Sequence, residues 1–306
     1  GLSASVGTLI PPRAAMSTRD SRDEPRTKSE EEKKAEPSNP FGKKSVRQPE
    51  TGTRLTALEI HENIRAPAVE ELERPASSLL FSSLAAGMLI GFSFLASGFA
   101  SHYAPEPYKH VFASMAYPMG FIFVVMGRSE LFTENTLEPV IPLLHKRDAR
   151  TLRQMLRMWG LLIVGNMVGA LIFGLLLAKT TMVEPELHPS LQKIAADAMQ
   201  GGFGEVFYRA IFGGWLIALL AWLLASTVDS IAQLFLIWAT TAPIAAFQFR
   251  HSIAGSVEVF YRAASGAAGW GEALGGFVVP ALLGNALGGV ILVALFNYAQ
   301  VAEEHE

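Results

Sequence analysis

From Leu79 onward the chain consists of long apolar runs separated by glycine, proline and short polar islands, and this pattern constrains the fold most strongly. A helix that crosses a bilayer needs about 20 apolar residues. The sequence therefore predicts an all-α polytopic membrane protein, with a six-span transport domain over residues 77–300. The predicted spans are Ser77–Ser101, Phe112–Gly127 continued by Leu131–Leu144, Met158–Ala178, Val206–Ala225, Ile231–Phe249 continued by Ser252–Tyr261, and Ala273–Ala299.

The N-terminal region differs from the rest in its charge. Residues 1–76 contain 13 of the 25 Lys and Arg residues and 13 of the 28 Asp and Glu residues. Such a segment buries too little apolar surface to offset its ordering entropy. We predict a disordered tail over 1–76 that includes one possible short helix at 56–72. A solvated tether is the favoured interpretation of this tail, and a specific docking motif is the alternative.

The distribution of basic residues predicts the orientation. The loop after the second span holds the densest basic cluster of the membrane domain, namely Lys146, Arg147, Arg150, Arg153 and Arg157. Loops rich in Lys and Arg stay in the cytoplasm. We therefore expect both the N-terminal tail and a short C-terminal tail, 301–306, to be cytoplasmic in a bacterial inner membrane.

Some functional classes are excluded by composition. The chain has no cysteine, which rules out disulfides, thiolate metal sites and cysteine nucleophiles. It has no basic stripe of the kind that binds nucleic acid. We expect no cofactor, no metal and no enzymatic activity, and the lipid bilayer is an expected partner.

The second and fifth spans are interrupted by charged residues, at Arg128-Ser129-Glu130 and at Arg250-His251. A charge inside a span costs at least a few kcal/mol, so such residues usually face a cavity or a partner. The alternative is a water-exposed loop between separate short helices. Two short helical pieces of this length cannot each cross the bilayer, so broken spans are the favoured interpretation.

The two interruptions lie at matching places in the two halves of the chain. The following spans contain GNMVGALIFG from Gly165 and GNALGGVILVALF from Gly284. Asn166 and Asn285 are 119 positions apart, and Arg128 and Arg250 are 122 apart. These correspondences predict an internal duplication of three spans. An odd number of spans inverts the second half, and inverted repeats with broken helices are a recurrent transporter architecture.

Polar residues at the interruptions are the candidate site residues. A histidine near mid-membrane, His251, can donate a hydrogen bond and exchange a proton near neutral pH. Phe132 could narrow a pore, and Thr133 could bond a passing substrate. Asn166 and Asn285 could orient the histidine or line the pore, or hold helices together. A structural histidine bonded to a backbone carbonyl is the alternative for His251.

Five charged residues lie beside the interruptions: Arg128, Arg250, Glu130, Glu134 and Glu258. The favoured interpretation is that they pair with one another as buried ion pairs that stabilise the broken helices. The alternative is that they tune the electric field of a pore.

At these residues the sequence resembles the formate/nitrite transporter family. The motifs are ELFT at Glu130–Thr133, His-Ser-Ile-Ala at His251–Ala254, and Gly-Asn-x-x-Gly in the third and sixth spans. The segments RSELFTENTL and FRHSIAGSVE resemble the YfdC-like branch of that family.

The resemblance implies an aquaporin-like fold, a homopentamer with one pore per protomer, and passage of small monovalent anions such as formate or nitrite with proton involvement. It implies that His251 is the central pore histidine, Thr133 its partner, Phe132 a constriction, and Asn166 and Asn285 flanking polar residues.

A channel or proton-coupled transporter for weak-acid anions is accordingly the leading functional hypothesis. A non-conducting membrane scaffold or sensor that acts through the N-terminal tail is the alternative. An intramembrane metalloenzyme is disfavoured because the chain has no HExxH motif and no second histidine deep in a span. Water or glycerol conduction is disfavoured because paired Asn-Pro-Ala motifs are missing at the interruptions.

Overall fold

A computed structural model describes residues 54–303, and this range contains helices and connecting turns without a β-strand. Residues 1–53 of the predicted N-terminal tail and residues 304–306 of the predicted C-terminal tail lie outside the described residues. The helices are α1 (Ala57–Glu71), α2 (Ala76–Leu89), α3 (Gly91–Tyr103), α4 (Lys109–Ala116), α5 (Pro118–Met126), α6 (Val140–Lys146), α7 (Ala149–Lys179), α8 (His188–Ala198), α9 (Gly202–Leu224), α10 (Ser230–Ala246), α11 (Ser252–Ala264), α12 (Val279–Gly289) and α13 (Phe296–Glu303).

Within the described residues, five continuous helical segments are long and apolar enough to cross a membrane. Two of them join consecutive helices, α2 with α3 and α4 with α5, and two others are α7 and α9. The fifth runs over Glu272–Gln300 and includes α12 with a π-helical segment on either side. The shorter apolar helix α10 has 17 residues. Large apolar side chains such as Phe81 and Ile231, both 74% exposed, lie on the outer surface. The chain is a polytopic helical membrane protein.

Two helices end inside the bundle. Helix α5 ends at Met126, and regular α-helix resumes only with α6. Helix α10 ends at Ala246, and α11 begins at Ser252. Each connection contains a non-glycine residue in the left-handed region, Arg128 with φ 57° and Gln248 with φ 53°. This backbone conformation turns the chain sharply out of the preceding helix.

Close helix pairs surround these two connections. The backbone of Gly87 in α2 lies so near Asn166 in α7 that an added Cβ would overlap the Asn166 backbone. Gly214 in α9 has the same relation to the backbone of Asn285 in α12. Only glycine permits such close approach, so both glycines position an asparagine beside an interrupted helix.

The N-terminal helix α1 packs on α6 and α13. It begins with a capping box in which the Thr56 hydroxyl accepts from the backbone N–H of Glu59, and the Glu59 carboxylate accepts from the N–H of Thr56. Asn63 donates from Nδ2 to the carbonyl of Ala225 at the end of α9, over 3.1 Å. Helix α1 is thus joined to the bundle by specific contacts.

We expect Gly87→Ala to lower the thermal unfolding midpoint of the purified protein, because the new methyl group meets backbone that cannot rotate away. Overpacking of this kind costs about 1–3 kcal/mol. The matched control is Gly160→Ala in α7, where nothing lies within 4 Å of an added Cβ. Differential scanning fluorimetry in detergent measures both variants. Equal midpoints for the two would contradict the close packing described for α2 and α7.

Candidate functional site

The two interruptions bring Thr133 and His251 into contact. The Thr133 Oγ1 and His251 Nε2 atoms are 2.7 Å apart, although the residues are 118 positions apart in the chain. The Thr133 side chain is fully buried, and His251 is 2% exposed. Thr133 precedes a short 3-10 turn at Glu134–Thr136, and His251 is the residue immediately before α11.

The hydrogen bonds of His251 determine its tautomer. Its Nδ1 accepts from the backbone N–H of Ala254 over 3.1 Å, which makes the imidazole the N-cap of α11. A nitrogen that accepts carries no proton, so in the neutral ring Nε2 carries the hydrogen and donates it to Thr133 Oγ1. The Thr133 hydroxyl keeps its own hydrogen, which it can donate to another group.

Aromatic rings stand beside this polar pair. The ring of Phe121 meets the His251 imidazole edge to face, with centroids 4.9 Å apart. Phe132 is 2% exposed, and its ring packs against Trp159 at 5.7 Å. Aromatic rings thus adjoin both His251 and the residue before Thr133.

Asn166 satisfies the backbone of the first interruption. Its Oδ1 accepts from the N–H of Phe132 over 2.8 Å. Its Nδ2 donates to two carbonyls, those of Ser83 in α2 at 2.7 Å and of Glu130 at 3.0 Å. The side chain is fully buried, so one amide stabilises an irregular backbone that has left its helix.

Asn285 makes the same set of bonds at the second interruption. Its Oδ1 accepts from the N–H of Ser252 over 2.7 Å. Its Nδ2 donates to the carbonyls of Ala210 in α9 at 2.7 Å and of Arg250 at 2.9 Å. The two asparagines thus occupy corresponding positions.

These bonds correct the correspondence that the sequence analysis drew between Arg128 and Arg250. The left-handed residue of the first interruption is Arg128, and that of the second is Gln248. The carbonyl bonded by the asparagine belongs to Glu130 in the first and to Arg250 in the second. Arg128 therefore corresponds to Gln248, and Glu130 to Arg250. The sequence analysis expected two arginines at matching positions. The structure instead has Glu130 and Arg250 there, which carry opposite charges.

Glu130 pairs with a cation from outside the two interruptions. Glu130 is buried and forms an ion pair with Arg74 at 2.9 Å, and Arg74 also pairs with Glu71. Asn135 Nδ2 donates to the second carboxylate oxygen of Glu130 over 3.0 Å. The cation of this ion pair comes from the linker between α1 and α2, not from either interruption. Arg128 is exposed.

Arg250 and Glu258 are both buried, with 7% and 8% exposure. The guanidinium of Arg250 donates from Nη2 to the carbonyl of Asp197 in α8 over 2.8 Å. Its Nε is buried and has no hydrogen-bond partner within residues 54–303. Among the described residues, no ion pair within 4.0 Å includes Arg250 or Glu258, and pairing within the set of five charged residues stays a prediction. Glu134 is half-buried on the 3-10 turn.

A cavity of about 90 Å³ joins several of these side chains. It has room for several water molecules or a small anion. Its walls include three residues that the sequence analysis selected, Arg250, His251 and Glu258. They also include three that it missed, His110, Tyr117 and Asp197. These three residues lie outside both interruptions. His110 is in α4, Tyr117 directly precedes α5, and Asp197 is in α8. Only the spacing of Glu258 from His251, seven positions along one helix face, could have indicated a shared wall.

We expect Asn166→Ala and Asn285→Ala to destabilise the protein by similar amounts. Each removes one acceptor and two donors from buried backbone groups, and each group left unsatisfied costs about 1–3 kcal/mol. Thermal unfolding of both variants in detergent tests this. Asn63→Ala is the control, because its amide donates to the carbonyl of Ala225 at the end of α9 and not to an interrupted segment. If Asn166→Ala lowered the unfolding midpoint and Asn285→Ala left it unchanged, the equivalence of the two amides would be contradicted.

Comparison with known proteins identifies the family. The family model described as formate/nitrite transporter matches residues 58–299. The chain is 34% identical to the inner membrane protein YfdC of Escherichia coli over 249 residues, which covers 81% of this chain and 80% of that protein. It is 25% identical to the formate channel BtFdhC of Bacillus thuringiensis, covering 81% and 96%.

Among solved structures, a pentameric formate channel with formate bound has the same fold. The TM-score is 0.61 at 20% sequence identity, and the match covers 74% of this chain and 98% of that one. Membership of a family of transporters and channels thus accounts for the helical membrane fold. The chain belongs to the formate/nitrite transporter family.

Proposed function

We propose that this protein carries small monovalent weak-acid anions, of the formate and nitrite class, across the membrane through one pore in each protomer. The observation that supports this most directly is the buried hydrogen bond between Thr133 and His251, the second of which lines the cavity. Formate is the substrate named for the Bacillus thuringiensis relative and for the structural neighbour. Phe132 serves as an apolar constriction in this proposal.

The proposal extends to topology and assembly. The chain has six spans arranged as an inverted repeat of three, with both termini in the cytoplasm of the inner membrane. The matching bonds of Asn166 and Asn285 support the repeat. The pentameric state of the structural neighbour supports a homopentamer here. Exposed apolar side chains such as Phe235, 64% exposed, then contact lipid or an adjacent protomer.

Transfer of an anion into this region needs compensation for lost hydration. His251 polarises the Thr133 hydroxyl by donating to its oxygen, so the hydroxyl becomes a better donor toward an anion. The N-terminus of α11 begins at the same point and carries the positive end of the helix dipole. A weak acid crosses the apolar constriction at lower cost when it is neutral, and His251 is the group placed to take part in that proton exchange.

The central test replaces His251 by asparagine. Asparagine is a good N-cap, so it retains the bond to the Ala254 N–H while removing the Nε2 donor. We expect His251→Asn to lower formate and nitrite uptake into proteoliposomes at least tenfold, with a thermal midpoint close to that of wild type. Radiotracer uptake and scanning fluorimetry on the same preparation measure the two effects separately.

Thr133→Val extends this test with an isosteric change that removes the hydroxyl. It too should reduce uptake. Thr136→Val is its control, since Thr136 is equally buried but bonds the carbonyl of Thr133 and not the imidazole. Wild-type uptake by both His251→Asn and Thr133→Val would exclude the proposed pore.

Arg250 gives the cavity its cationic wall in the same proposal. Its Nε has no partner among the described residues, which leaves one donor for an arriving anion. Glu258 also lines the cavity, which limits how strongly an anion is retained. This arrangement favours attraction without tight binding, as conduction requires.

We expect Arg250→Gln to raise the KM for anion uptake roughly tenfold or more, because a hydrogen bond to a charged group contributes about 1.5–3 kcal/mol. The matched control is Arg128→Gln, because Arg128 is exposed and does not line the cavity. Concentration-dependent uptake in proteoliposomes separates KM from maximal rate. An equal change in KM for both variants would show that Arg250 acts only through overall charge.

A further inference from the structure

A cluster of metal-binding side chains lies away from the pore. Ligand atoms of His61, Glu62 and His145 all lie within 4.8 Å of one another. His61 and Glu62 belong to α1, whereas His145 belongs to the last turn of α6. The sequence analysis predicted no metal, and these residues form no signature spacing in the chain.

Two imidazole nitrogens and a carboxylate oxygen are the donors that bind zinc and similar divalent ions in open, three-ligand sites. In a tetrahedral zinc site the ligand atoms are about 3.4 Å apart, so small side-chain rotations bring this cluster into range. The rings of His61 and His145 meet edge to face at 5.6 Å. Tyr298 closes one side, 6.2 Å and 5.8 Å from the two rings.

A neighbouring side chain orients the carboxylate. Arg65 donates from Nε to Glu62 Oε1 over 2.8 Å and from Nη2 to Glu62 Oε2 over 2.7 Å. Oε2 also accepts from Arg65 Nε over 3.1 Å, so Oε1 is the oxygen with a second lone pair left for a metal. Outer partners of this kind position metal ligands in many proteins. His145 also lies at a helix C-terminus, where positive charge is favoured.

We propose that His61, Glu62 and His145 bind one divalent transition-metal ion of the zinc type in each protomer, with water as the remaining ligand. The ion joins α1 to α6. Helix α6 is the second half of the interrupted span that contains Phe132 and Thr133 at its break. The site thus connects the N-terminal helix to an element that positions the pore.

The test uses full-length protein in detergent, with any polyhistidine tag removed and with prior EDTA treatment and dialysis. Titration with zinc chloride, followed by isothermal calorimetry, should give about one saturable site per protomer. Binding to the folded state alone should raise the thermal midpoint by roughly 5 °C at an ion concentration far above Kd. Cobalt in place of zinc should give visible absorption bands of a tetrahedral centre.

His145→Ala is the decisive variant, because His145 is exposed and its removal leaves the packing of α6 intact. It should abolish the saturable binding, the midpoint shift and the cobalt bands. Glu62→Gln should weaken all three. His102→Ala on α3 is the control and should retain them.

Lack of saturable binding by the wild type would overturn the proposal. So would binding that His145→Ala and His102→Ala leave equally unchanged, since the metal would then occupy another part of the surface. These results are independent of anion uptake, so the metal site and the proposed transport stand or fall separately.

Discussion

The structure depends on how it satisfies backbone groups where two helices stop inside an apolar bundle. An N–H or C=O without a partner in such surroundings costs several kcal/mol, so irregular backbone survives there only when protein groups replace the missing helical bonds. Asn166 and Asn285 supply those groups, each with one acceptor and two donors. Glycines at positions 87 and 214 bring the asparagine backbones close to the neighbouring helices.

The polar centre follows from this constraint. Because Asn285 holds Ser252 and Arg250, the residue between them is placed at the start of α11, where its side chain caps the helix. A histidine used as a cap has one nitrogen committed to structure and the other available for chemistry. The available Nε2 meets Thr133 from the first interruption. His251 thus makes a structural contact with a backbone N–H through Nδ1, while its proposed role in transport rests on Nε2.

Sequence reasoning predicted the features that depend on local pattern. Apolar runs broken by charge indicated the interruptions, and the paired Gly-Asn motifs indicated corresponding asparagines. Matching by residue identity then paired Arg128 with Arg250, whereas backbone geometry pairs Arg128 with Gln248. The partner of Glu130 was out of reach, because Arg74 lies 56 positions earlier in a segment assigned to the tail. Cavity walls from α4 and α8 were likewise unpredictable, since only tertiary packing brings them to His251.

The two interruptions differ in the surroundings of their charged residues. Glu130 and Arg250 occupy matching positions, but Glu130 is neutralised by Arg74 and held by Asn135, whereas Arg250 borders a cavity. An exact repeat would present the same charge to both sides of the bundle. Here the anionic member is masked and the cationic member faces space large enough for a small ion. The charges beside the two interruptions are therefore arranged differently, with both Arg250 and Glu258 lining the cavity on the side of α8 and α11.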